Sequence, residues 1–435
     1  MNSTLPPRPD FTQLRHQAKD LLRAHQRQDA SCCPVLRRLR RFAPADDADI
    51  LAQPLALHEA QYALAMEYGF SSWNALKRYV EKVTGQPSPV RREKDRTYVT
   101  GLEKYPVGCK DAHDCSIIAC IAGAMAALGE VELTYPYLMG VSGAAFRVQM
   151  GYPRWCPSAA CADCGYDCTP GAMKATGFRL TSIPVVDDPD HLEQAAARAA
   201  EAVRQSVDRG IPLLYISEES GLAVGYRNDG KRIVRPYEAP DTTDYVETED
   251  WPWVLGVIEP EDEPMDRRQA VADSLRLAVR LARTERFGDY VSGFAALEHW
   301  SEALLDDGRF AELTPENWWP IAHGNGWCYP SLWSARYNAA RYLREVADEW
   351  DDPARSKLLE LAGVYQRMHQ TLSRTQPEFD CIWSLQPWML KSPANWTRAI
   401  REKESALLRE ALAIEREAVT KIEAMLPLLE PSPQA

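Results

Sequence analysis

The sequence predicts an α+β protein in which helical segments stand on both sides of a mixed centre. Three observations carry this. Apolar residues recur at helical spacing near the start of the chain and again through its last third. Between these segments, helix-like runs come first and four short β-rich runs follow, as in α+β domains. Turn signals such as "NDGK" at 228–231 separate consecutive β-rich runs, which is the pattern of an antiparallel meander. The expected organisation is a helical unit at 1–86, an α+β domain at 97–260 and a helical domain at 266–430.

In the first unit, Asp10 followed by Gln13 suits a capping box, and Phe11, Leu14, Ala18 and Leu21 share one helical face. A second helix, "LHEAQYALAMEYGF", ends at Gly69, and a third starts at Ser71–Ser72 and carries Leu76, Tyr79 and Val83. The Pro-, Gly- and charge-rich stretch "TGQPSPVRREKDR" at 84–96 reads as a linker. In the centre, 115–128 and 191–209 read as helices, and "IPLLYIS", "GLAVGYR", "KRIVRPY" and "WVLGVIE" as strands. "EPEDEPMDRR" at 259–268 marks the next boundary, after which the pattern is almost wholly helical. Along the last helix Leu407, Ala411, Ile414, Ala418, Ile422 and Met425 form an apolar stripe, with Glu417 and Lys421 paired on another face. The Trp-rich stretch "ENWWPIAHGNGWCYP" reads as packing between helices, or else as a pocket wall.

With 435 residues, 26% charged and 45% hydrophobic, the chain has the composition of a soluble globular protein. Acidic residues outnumber basic ones 62 to 50, and a net charge of −12 disfavours nucleic acid and anionic membranes as partners. "RRLRR" at 37–41 is too short to reverse that and reads as a solvated helix face. The N-terminus lacks the apolar core of a signal peptide, and no apolar run spans a bilayer. A cytoplasmic location is expected, with the 11 cysteines kept as thiols.

Those thiols hold the chemistry. Cys115, in "HDCSIIACIAGAMAALGE", heads a predicted helix in which Asp114 is the expected N-cap and Ile117, Ile121, Ala124 and Leu128 lie buried. A helix N-terminus favours thiolate through its unpaired N–H groups and dipole. Cys120 is expected in the core. Cys156, Cys161, Cys164 and Cys168, in "WCPSAACADCGYDC", form a second cluster that suits zinc or another soft metal, a redox pair, or simple packing. Arg147, nearby in sequence, suits a carboxylate or phosphate, or a surface ion pair.

"HDCSIIACIAGAMAALGE", "SGAAFRVQMGY" and "ESGLAVGYRNDGKRIVRPY" together resemble a papain-like family typified by the N-terminal domain of butirosin biosynthesis protein H. The resemblance covers about 100–260 and extends more remotely to the C39 bacteriocin-processing peptidases; the helical tail is also like that of butirosin H-type proteins. The N-terminal unit resembles one that precedes ankyrin repeats in bacterial proteins. The resemblance implies a papain-like fold, with Cys115 as nucleophile in acyl transfer from a carrier protein to a small-molecule amine. It also implies a histidine and an aspartate on later strands, yet this sequence places Glu219 and Arg235 there. Cys109 stands where papain-like proteins carry an oxyanion glutamine. His113 points away from a nucleophile two residues later, and His323 is a candidate from the helical domain.

The expectation is therefore thiol-centred acyl transfer or amide chemistry on a small metabolite, rather than proteolysis, because a thioester expels thiolate without needing an acid. Its site would be Cys115, with Asp114, Arg147, Glu219, Tyr226 and Arg235 holding substrate, no cofactor, and an acyl carrier protein as a conceivable partner. The alternative is a non-catalytic protein that senses or sequesters a small molecule or soft metal on the same fold.

Overall fold

A computed structural model describes residues 5, 9–70, 73, 76–77, 79–80, 89–108, 112–186, 192–237, 245–261, 264–374 and 385–429. The chain is a mixed helix-and-sheet structure, as the α+β reading requires. Asp10 caps the first helix, Phe11–Gln26, by accepting the Thr12 N–H at 2.7 Å rather than through a box with Gln13. That helix buries Phe11, Leu14 and Ala18 against Leu64, Trp73, Leu76 and Val80. A second small core gathers Cys32, Cys33, Leu36, Phe42 and Ile50, so these two thiols are packing. Of the third predicted helix, Ser71, Ser72 and Val83 lie outside the described residues, while Leu76 and Tyr79 are helical.

Among the described residues eleven strands follow: β1 (Val90–Arg92), β2 (Arg96–Val99), β3 (Gln149–Gly151), β4 (Phe178–Pro184), β5 (Leu213–Ile216), β6 (Gly221–Arg227), β7 (Arg232–Arg235), β8 (Val246–Thr248), β9 (Val254–Pro260), β10 (Arg286–Phe287) and β11 (Tyr290–Ser292). Eight form one sheet in the order β1-β2-β6-β5-β9-β4, with β7 on β6 and β8 on β7, all antiparallel. The meander holds for β5, β6 and β7, but β9 returns to pair with β5 and β4. β6 is the hub. A Cβ added at Gly225 would stand 2.6 Å from the Thr97 carbonyl oxygen, so this hub strand must be bare there to lie against β2.

The sheet is covered on both faces. One face carries Val99, Leu213, Ala223 and Leu255 beneath the helix Leu192–Asp208. The other carries Leu214, Leu222, Val224 and Ile258, which meet the central helix Ser116–Ala127 in the main core. Nine consecutive residues of that helix, Ile117–Met125, are buried. This is why its sequence is apolar all round instead of striped.

Two expectations need correction. The stretch 84–96 is not a plain linker, since β1 lies within it and pairs with β2. The C-terminal part is not purely helical, because the hairpin β10–β11 adds β3 as a third strand. That strand comes from the centre of the chain, and Tyr342 and Tyr365 meet Phe146 in one continuous core. The C-terminal helices Arg267–Arg283, Gly293–Ala303, Trp318–Ala347, Ala354–Leu372 and Arg398–Leu429 thus join the same core, the first and third of them packing on the short helix Tyr135–Val141, which packs on the central helix. The predicted stripe of the last helix is buried throughout, and Glu417 sits 3.9 Å from Lys421. No helix among the described residues is long and apolar enough to cross a membrane.

Candidate functional site

Cys115 is itself the N-cap of the central helix, which begins at Ser116; Asp114 is one residue too early for that role. No side chain caps the helix, and the first-turn N–H groups have no intrahelical acceptor. The Ile118 N–H turns toward the Cys115 sulfur. The Cys115 N–H donates to the Tyr135 hydroxyl at 3.1 Å, and the His113 ring stacks on Tyr135 at 4.1 Å. That stack packs His113 against Tyr135.

Cys115 keeps some solvent exposure, although most of it is enclosed. Burial foremost, then the neighbouring Cys168 and the charge of Glu219, push its thiol up to about 12; Arg147 and the Ile118 N–H oppose them. The helix terminus therefore loses to desolvation here. Beside the sulfur lies a cavity of about 50 Å³, lined among others by Asp114, Arg147, Gln149, Trp300 and Cys328. It is too small for a metabolite, for which cavities of roughly 300–1,000 Å³ are usual. A larger cavity, about 710 Å³, lies between the N-terminal unit and the body; Arg15, His58, Tyr137 and Arg267 are among its walls, and no cysteine is.

The five residues expected to hold substrate separate into groups. Asp114 and Arg147 do line the space beside Cys115. Glu219 sits in the β5–β6 turn, which is tied to the helix start where the Ser220 N–H donates to the Ser116 hydroxyl at 3.1 Å. Its charge reaches the thiols of Cys115, Cys120 and Cys161. Arg235 is elsewhere. It is buried, donates from Nε to the Tyr105 carbonyl at 2.9 Å, and faces Cys120, which is sealed in the core. Tyr226 is not at the site either; its hydroxyl donates to Asp208 at 3.2 Å on the far side of the sheet. Cys109 lies outside the described residues. His323 is not among the residues lining the small cavity; it stands between Trp327 and Trp388, and burial lowers its pKa while Glu218 opposes.

Arg147 is neither a surface ion pair nor an open anion hook. Its guanidinium donates to the carbonyls of Cys164 and Tyr166 from one nitrogen, at 3.0 Å each, and to those of Ala160 and Cys161 from another, at 3.0 and 2.6 Å. Its charge also reaches Cys115, Cys168 and Cys328. One buried cation thus organises both thiol regions. The four cysteines predicted as one metal set do not converge. Cys161 and Cys164 come together with Asp163, whereas Cys156 meets the Ser158 hydroxyl at 2.8 Å and Cys168 points to the Tyr166 carbonyl.

Behind Arg147 stand residues that pattern reading passed over. Arg336 Nε donates to Glu415 at 2.7 Å, with both side chains buried, and Arg336 also holds the carbonyls of Ala145 and Arg147. Under the cavity, the Trp300 indole donates to Asn325, whose amide donates to Glu404 at 2.8 Å. Burial pushes the Glu404 carboxyl up to about 8. The signal for both acids was present: Glu404 and Glu415 sit at helical spacing on the apolar stripe of the last helix, where an acid needs a buried partner.

No family model matches this chain, and no curated protein matches it.

Proposed function

We propose that this is a papain-like protein whose cleft carries thiol-centred acyl transfer or amide chemistry on a small metabolite, with Cys115 as nucleophile. One observation carries the reading: a partly exposed thiol stands at the start of a buried helix, where the first-turn N–H groups have no intrahelical acceptor. The packing of that helix on β5 and β6 agrees with the papain-like arrangement.

The thiol is protonated at rest, so the reaction needs a proton acceptor. Glu219 fills that role, standing where the family has histidine. Its carboxylate takes the thiol proton as the sulfur attacks the acyl carbon, and the donor's thiolate departs. That thiolate takes the proton from Glu219; an amine then attacks the Cys115 thioester, gives its own proton to Glu219, and Glu219 passes it to the Cys115 thiolate as the sulfur leaves. The first-turn N–H groups stabilise the oxyanion formed in each step. The cavity must widen to admit substrate.

A second reading has its own support. A thiol near 12 has roughly three-thousandfold less thiolate at neutral pH than an ordinary one near 8.5, which favours a cleft that binds a molecule without reacting.

An acyl thioester of N-acetylcysteamine separates the two. Acylation of Cys115, read by peptide mass spectrometry and absent in Cys115→Ala, supports chemistry. An unmodified Cys115, with ligand affinity unchanged in Cys115→Ala, overturns it in favour of binding alone.

A further inference from the structure

The loop 160–166 has no part in the reaction just described, yet Arg147 and Gln149 hold its carbonyls by five hydrogen bonds. We propose that Cys161, Asp163 and Cys164 bind one borderline-soft divalent cation, zinc foremost, through two sulfurs and a carboxylate oxygen, with a fourth position open to water or an exogenous ligand.

The donor atoms come first. One ligand atom from each of the three residues lies within 4.8 Å of the others. Tetrahedral zinc with its usual Zn–S and Zn–O lengths holds such atoms about 3.5–3.8 Å apart. Closing the set takes side-chain rotation of an ångström or less, not refolding. Two thiolates with one oxygen match the ligand preference of zinc over calcium or magnesium, which seek oxygen alone.

The loop is also built in advance. Arg147 fastens four of its carbonyls, and the Gln149 amide donates to the Cys164 carbonyl at 2.7 Å. Gly165 has φ +68°, and a Cβ there would stand 2.5 Å from the Gln149 side-chain oxygen, so the turn is fixed by close packing. Chain ordering, which ordinarily costs binding energy, is already complete. The Tyr290 hydroxyl lies against the Cys164 sulfur and is linked at 2.9 Å to Ser158, supplying the outer hydrogen bonds that metal thiolates use.

Charge closes the account. Two thiolates and a carboxylate balance a divalent ion together with the Arg147 guanidinium. On binding, each thiol gives its proton to solvent, and no electron moves. The arrangement is independent of the acyl chemistry proposed for Cys115, so either proposal stands if the other fails. A C-x-x-C pair that merely packs, or that closes to a disulfide, would not require Asp163.

The test uses the full chain, reduced with a non-chelating phosphine, loaded with zinc or cobalt and desalted. About one metal per chain is expected, and the cobalt form should show intense tetrahedral ligand-field bands with sulfur-to-metal charge transfer. Cys161→Ser and Cys164→Ser should each weaken binding by at least about tenfold, and Asp163→Asn should weaken it while keeping the charge transfer. Cys156→Ser and Cys168→Ser should change neither. Zinc should also protect Cys161 and Cys164 of the unaltered chain from iodoacetamide, which needs no variant to fold. Metal well below one per chain, full retention in the Cys161→Ser/Cys164→Ser double variant, or no protection by zinc would overturn the proposal.

Discussion

The start of the central helix and the loop 160–166 both present cysteine beside Arg147, and they differ in what surrounds the sulfur. Cys115 is fixed by a helix whose next residues are buried almost without break, so its thiol is dominated by desolvation. Burial pushes the thiols of Cys161 and Cys164 up as well, but these two sit on a loop with an exposed carboxylate between them and a phenol against one sulfur. The first arrangement keeps one thiol protonated. The second gathers several donors that become useful together only when a cation neutralises them. Position at a helix end does not by itself make a thiol reactive; the local balance of burial and charge does.

The comparison depends on Arg147 being held in place, so the largest effect should come from what holds it. Arg336→Ala leaves Glu415 charged and buried, and removes donors from the Ala145 and Arg147 carbonyls. A loss of about 3–5 kcal/mol is expected in denaturant unfolding. A change below about 1 kcal/mol would show that this pair does not anchor the region.

Next is pH. The folded Glu404 carboxyl lies near 8, above its value in an unfolded chain. Its protonated form is the one that burial favours, so its stabilising share is complete below the unfolded pKa, near 4.5, and drains away as pH rises toward 8. The slope is at most about 1.4 kcal/mol per pH unit in that window. Glu404→Gln should flatten the stability profile between pH 5 and 8 in parallel denaturation curves, and an unchanged slope would place the titration elsewhere.

Arg147→Met should cost about 1–3 kcal/mol for each carbonyl it leaves dry, partly recovered as water enters the loop. Its sharper mark is local: amide exchange should quicken across 160–166 and leave Ile117–Met125 protected. Equal quickening in both would mean the two regions unfold as one.

The smallest effect is on Cys115 itself. Removing the Glu219 charge lowers the thiol pKa, so Glu219→Gln should speed iodoacetamide labelling of Cys115 severalfold at a fixed pH near 8. In acyl transfer the same variant should be slower, having lost its proton acceptor. Labelling that slows along with turnover would argue for collapse of the cleft instead of a charge effect.

Much of the architecture was legible because it is written in nearby residues. The cap at Asp10, the strands 221–227 and 232–235 joined by "NDGK", and the buried stripe of the last helix all follow from spacing within a dozen residues. β1 escaped because its Pro- and charge-rich surroundings read as linker, while its partner strand supplies the hydrogen bonds that define it. β3 escaped for the same reason, with its partner in the C-terminal part of the chain.

The candidate site divides along the same line. The sequence by itself determined that Cys115 begins a helix, that Cys120 faces a core, and that two cysteines share C-x-x-C spacing, since each depends on local backbone periodicity. Only the tertiary structure decided that Arg235 faces Cys120, that Tyr226 belongs to the far side of the sheet, and that Asp163, not Cys156 or Cys168, completes the pair at Cys161 and Cys164. It also decided that Arg147 spends its hydrogen bonds on carbonyls 13 to 19 residues away. Burial and charge pairing are sums over neighbours brought together by folding, and spacing along the chain carries no record of that sum.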